Sequence, residues 1–143
     1  MIVSNSLDAC KITICNQLDE INNIFDVITM LATKWKFSAK LTGHVNLAIE
    51  EVVSNIINYA YNDGLEHEIS IQIKKGETAL HIIITDDGKF FNIIDSAVEV
   101  DLEAPIDERK VGGLGIYLTN AIIDHIEYQR IENKNVVTLT KNI

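Results

Sequence analysis

Three short polar stretches interrupt an otherwise apolar chain: Glu51-x-x-x-Asn55, Asp86-Asp87-Gly88 and Gly112-Gly113-Leu114-Gly115. A carboxylate such as Glu51 can take a proton from a water or hydroxyl that attacks a phosphate. The amide oxygen of Asn55 is a hard ligand of the kind Mg²⁺ accepts, because that ion keeps several waters and takes only one or two protein oxygens. Asp86 offers an acceptor to the exocyclic amine of a purine, which selects adenine over guanine. Gly88 lets backbone come close to a ring. The glycine cluster opens N–H groups at a helix N-terminus, where the macrodipole favours phosphate. One of Arg109 and Lys110, just before it, could reach the β- and γ-phosphates from a closing loop. Taken together, these are the parts of a Mg–ATP site.

Each part also has a plainer structural reading. Residues four apart on a helix lie about 40° from each other, so Glu51 and Asn55 share a stripe with Asn58 and Asn62 beside the apolar face; a solvated helix face carries the same pattern. Three Asn on one stripe argue against it, since Asn is a poor helix former. Asp86-Asp87-Gly88 is also what a strand-ending turn looks like. The glycines also suit a hinge, and Arg109-Lys110 a solvated pair. The glycine segment is not a Walker A loop, because no Gly-Lys-Ser/Thr follows. The preceding segment is no strand, which excludes a Rossmann fingerprint.

The elements that must position these groups follow from periodicity. Residues 10–15 read as a strand. Leu18, Ile21, Ile24, Phe25, Ile28, Leu31 and Ala32 predict a helix over 17–35. Ser38 reads as an N-cap, and Val45, Ala48, Ile49, Val52, Val53, Ile56 and Ala60 predict a second helix over 39–62, closed near Asn62-Asp63-Gly64. Ile69, Ile71 and Ile73 alternate with polar neighbours, and Leu80 to Ile84 is almost continuously apolar, which predicts a hairpin with one central strand. Residues 89–111 have no period and read as a functional loop. Ile116, Leu118 and Ala121 to Ile123 suggest a third helix. Residues 126–131 and 135–141 predict a closing hairpin across Glu132-Asn133-Lys134. The expected architecture is α+β: a two-layer sandwich of one mixed, mostly antiparallel sheet covered by helices, in a single domain spanning 1–143.

Composition narrows the class. The 143 residues carry 12 Lys+Arg against 21 Asp+Glu, a net charge of −9. No cationic track of the kind nucleic acid needs is present, so none is expected as a partner. A mononucleotide needs no basic surface. Cys10 and Cys15 fit no zinc spacing and point to opposite faces of a strand. His44, His67, His81 and His125 share no ligand spacing and read as surface or packing residues. No run approaches the ~20 apolar residues that span a bilayer, and no signal peptide is apparent. A cytoplasmic protein away from membranes is the expectation.

The chain resembles the GHKL (Bergerat-fold) ATP-binding superfamily. The carriers are Leu47 to Asn55 followed by Tyr59-Ala60-Tyr61, then Thr85-Asp86-Asp87-Gly88 with Phe91, then Gly112 to Ile116. Within the superfamily it is most similar to the small anti-sigma-factor serine/threonine kinases of bacterial partner-switching systems. The resemblance covers about residues 10–141. It implies Glu51 as general base and Asn55 as Mg²⁺ ligand. Asp86 becomes the adenine-binding acid, with Gly88 beside it. Gly112, Gly113, Leu114 and Gly115 become the phosphate segment. Thr138 falls where the fold often places a hydroxyl near the adenine pocket. Asn58, Arg109 and Lys110, read from the sequence itself, are expected in the nucleotide-binding set as well. Tyr59 stands where the family often has His. Lys89 stands where the larger superfamily's Asp-x-Gly-x-Gly has its second Gly, as is common in the small kinases. ATP and Mg²⁺ are the implied cofactors. A small antagonist protein as phosphoacceptor, a sigma factor and a second copy of the chain are the implied partners. The rival expectation is a non-catalytic, nucleotide-gated binding regulator.

Overall fold

The computed structural model describes residues 1–95 and 119–143. The elements in chain order are β1 (Ile2–Asn5), β2 (Ala9–Cys15), α1 (Glu20–Lys34), α2 (Ala39–Tyr59), β3 (Glu68–Lys75), β4 (Ala79–Asp86), β5 (His125–Ile131) and β6 (Lys134–Asn142). Residues 119–122 are helical as well. The strands form one six-stranded sheet in the order β1-β2-β3-β4-β6-β5.

Alternation writes the sheet. In β3, Ile69, Ile71 and Ile73 are buried, and in β4 Leu80, Ile82 and Ile84 are; each set points to the same face. Ile12 and Ile14 of β2 and Val137 and Leu139 of β6 extend that face. α1 contributes Ile24, Ile28 and Leu31 to it, and α2 contributes Val45, Ile49, Val52 and Ile56. Ile83, the residue that made Leu80–Ile84 look continuous, is only half-buried on the opposite face. β4 lies between β3 and β6, as its apolar run predicts.

The α+β sandwich is as expected, with one difference. Every described pairing is antiparallel, so the sheet is not mixed. The cause is the helical pair. α1 leads away from the end of β2 and α2 leads back, so β3 starts beside the point where β2 stops. The Asn16 N–H donates to His67 O at 3.0 Å across that junction. A single crossover helix would have made β2 and β3 parallel.

Several boundaries shift. β1 was not expected: its four residues are exposed and have no buried face to leave a pattern. α1 starts at Glu20, so Leu18 lies before the helix and is exposed. Ser38 caps α2 as predicted, its side chain accepting from Leu41 N at 3.0 Å. α2 ends at Tyr59, before Asn62, which leaves the helical stripe. The closing hairpin turns on two residues, Glu132 and Asn133, with φ 49° and 62°. Both positive values fit a type I′ turn, whose twist matches the flanking strands. Cys10 is buried and Cys15 half-buried, on opposite faces of β2.

Candidate functional site

The end of β4 meets the C-terminus of α2. Lys89 N donates to Ala60 O at 2.9 Å. Gly88 makes that approach possible: a Cβ there would lie 2.5 Å from Ala60 O and 2.7 Å from Ala60 Cβ. Ala60 caps α2, five residues beyond Asn55. The glycine of Asp86-Asp87-Gly88 therefore locks this turn onto the helix that carries Glu51 and Asn55. The sequence reading gave Gly88's missing side chain to a purine ring; in the structure that space belongs to Ala60.

Asn55 is 4% exposed although it is polar. It falls among Val52, Val53 and Ile56 on the core side of α2. Its Nδ2 donates to Glu51 O at 2.6 Å. With the nitrogen engaged by its own helix, the amide oxygen is the end suited to a hard cation. Glu51, one turn earlier, is half-buried. Burial pushes its carboxyl above the usual range, and the neighbouring Glu50 charge adds to that. A carboxylate raised this way is a stronger base than a free one. Asn58 is exposed on the same helix.

Asp86 ends β4 on the buried face and is 2% exposed. Its Oδ1 accepts from Gly88 N and from Asn135 Nδ2, both at 2.9 Å. Its Oδ2 is buried and meets no hydrogen-bond partner among the described residues. Buried carboxylate oxygens are normally satisfied, so this one is suited to an external donor. Burial pushes the Asp86 carboxyl up, while Asn135 and Gly88 hold it down. Asn135 had no signal in the local sequence. It stands directly opposite Asp86 in the β4–β6 register, a pairing that only the assembled sheet creates. Thr138 does not join this group. It pairs with Ile83, an odd number of residues from Asn135, so the pleat turns it to the opposite face.

His67 is more than a surface residue. Its Nε2 lies 2.7 Å from Asp63 Oδ2, and its Nδ1 3.3 Å from Asp87 Oδ2. Carboxylates against both nitrogens favour the imidazolium form, in which each nitrogen donates. The hydrogen bond to Asp63 and the contacts with Asp87 accordingly raise its pKa. Tyr61 stacks on the ring at 4.5 Å and donates to Asp87 Oδ1 at 3.2 Å. These contacts fasten the loop after α2 to the middle residue of the Asp86 motif.

The structure thus joins the Asp86–Gly88 turn to Ala60 at the end of α2, five residues beyond Asn55 and nine beyond Glu51. Arg109, Lys110, Gly112, Gly113, Leu114 and Gly115 lie outside the described residues. No helix among the described residues is long and apolar enough to cross a membrane.

The family described as histidine kinase-like ATPase domain matches residues 14–141. Serine-protein kinase RsbW of Bacillus licheniformis is 30% identical over 115 residues, covering 78% of this chain and 71% of that protein. Serine-protein kinase RsbW of Bacillus velezensis is 24% identical over 143 residues, covering 97% and 88%. The Bacillus subtilis protein of the same name is 23% identical over 140 residues, covering 96% and 86%.

Proposed function

The chain belongs to the family of histidine kinase-like ATPase domains, and on that premise we propose that it is an ATP-dependent serine/threonine protein kinase acting as an anti-sigma regulatory factor. Its substrate in this reading is a serine on a small antagonist protein, and a sigma factor is its second partner. In this reading it acts in the cytoplasm as a single domain over 1–143 and associates with a second copy of itself. The observation that carries the nucleotide reading is the buried Oδ2 of Asp86, which has no hydrogen-bond partner among the described residues and is an acceptor suited to the amine of adenine.

In this reading Asp86 would receive the base edge, and Asn55 and Glu51 of α2 would serve the phosphate end. Asn55 would hold Mg²⁺ through its amide oxygen, and the ion would supply neutralisation of phosphate charge. Glu51 accepts the proton of the partner's serine hydroxyl, and its burial favours that transfer. Gly112, Gly113, Leu114 and Gly115 are assigned to the phosphates, with Arg109 and Lys110 beside them. Thr138 faces away from Asp86 and has no contact role in this mechanism, whereas Asn58, exposed on α2 beside Asn55, is assigned to the nucleotide. The serine-protein kinase names of the relatives support the transfer reaction.

The test has two arms. Calorimetry with Mg–ATP is expected to show binding, and γ-labelled ATP is expected to label a small antagonist protein on serine. Absence of heat removes the nucleotide reading altogether. Heat without label on any candidate acceptor favours the non-catalytic, nucleotide-gated regulator.

A further inference from the structure

Asn135 is 2% exposed, and its amide is engaged at both ends. Three donors converge on Oδ1: Phe91 N at 3.2 Å, Tyr128 Oη at 2.5 Å and Arg130 Nη1 at 3.1 Å. Nδ2 donates to Asp86 Oδ1 at 2.9 Å and to Lys89 O at 2.8 Å. A flipped amide would turn its NH₂ toward three donors and its oxygen toward two acceptors. The network therefore fixes the orientation.

That orientation constrains Asp86. Its Oδ1 faces two donors, Asn135 Nδ2 and Gly88 N, so a proton taken up by this carboxyl goes to Oδ2. Ionised, Oδ2 accepts a hydrogen bond from an amine. Protonated, it donates one to a carbonyl. The charge of Asp86 thus decides which purine edge the site matches.

We infer that Asn135 is the positioning residue that sets purine specificity: its donation to Asp86 Oδ1 keeps Oδ2 an acceptor and so selects a 6-amino over a 6-oxo purine. This rests on the reading of Asp86 as the base-edge carboxylate. The neighbouring charges divide. Arg130, whose Nη1 also donates to Gly88 O at 2.9 Å, favours the ionised form, and Asp87 opposes it. Tyr61 and Tyr128 stand in the same field, and burial raises the pKa of both. Tyr128 and Arg130 of β5, Phe91 after β4 and Asn135 of β6 act on the carboxylate as one unit.

The experiment compares wild type, Asn135→Leu and Arg130→Met. Affinities for Mg–ATP and Mg–GTP are measured between about pH 5 and 8, and the Asp86 carboxyl is titrated by ¹³C NMR. Asn135→Leu is expected to lower the ATP:GTP affinity ratio about tenfold or more, the usual effect of losing a hydrogen bond to a charged group. The Asp86 titration moves upward with it. The KM for ATP rises while kcat at saturation is retained, a split that a general loss of structure would not give. Arg130 is exposed, so Arg130→Met keeps the fold and is expected to move both readouts in the same direction by less. An unchanged ATP:GTP ratio and unchanged Asp86 titration in the two variants would overturn this inference alone. A wild type that binds neither nucleotide would overturn it together with the adenine reading.

Discussion

Replacing Gly88 with alanine tests how the site is held together. The added Cβ would sit 2.5 Å from Ala60 O, 2.7 Å from Ala60 Cβ and 3.0 Å from Ala60 C. All three atoms belong to backbone or to a Cβ, so no rotamer change relieves them. The end of β4 and the cap of α2 must move apart by roughly 1 Å to reach ordinary contact. That shift breaks the 2.9 Å bond from Lys89 N to Ala60 O. Overpacking of this kind costs about 1–3 kcal/mol and the lost hydrogen bond about 1 kcal/mol, so Gly88→Ala should destabilise by about 2–4 kcal/mol. At this chain length that lowers Tm by roughly 6–16 °C. Gly43 is the internal control. It lies exposed within α2, and a Cβ there would meet nothing within 4 Å. Gly43→Ala should therefore stabilise by about 0.5–1 kcal/mol, the helical advantage of alanine. Urea and thermal denaturation followed by circular dichroism read both variants. The packing argument fails if Gly88→Ala loses less than about 1 kcal/mol, or if the two substitutions change stability in the same direction.

Glu51→Gln should retain Mg–ATP binding and slow phosphoryl transfer by about 10²–10⁴-fold; a wild-type transfer rate in that variant would remove Glu51 from the base role. His67→Gln should destabilise more at about pH 5.5 than at about pH 9. The raised pKa of His67 means its stabilising contacts are fully present below its ordinary value of about 6.5 and are lost as pH rises through the higher folded value. Asp63 is held below the usual carboxylate range by Leu65 N and by His67, so its side of the contact persists well into acid. Equal losses in the two denaturation series would contradict the imidazolium bridge.

Much of this molecule is written locally. The two-residue alternation in Glu68–Lys75 and Ala79–Asp86, the three-and-four spacing of Val45 to Ile56 and the Ser38 cap depend only on near neighbours, and so they fixed the elements and their buried faces. Glu51, Asn55 and Asp86 could be singled out for the same reason, as polar residues at places where a local pattern calls for apolar or turn-forming ones. What surrounds them was decided by contacts distant in sequence. Asn135 reaches Asp86 across 49 residues, because β4 and β6 pair in one particular register. Thr138 is turned away by that same register. Gly88 is required by Ala60, and His67 finds Asp87, only once α2 has returned the chain to the end of β4. Side-chain type is set by the sequence, but a hydrogen-bond partner is set by where the pleat and the helical return deliver it, and neither can be read before the sheet is assembled.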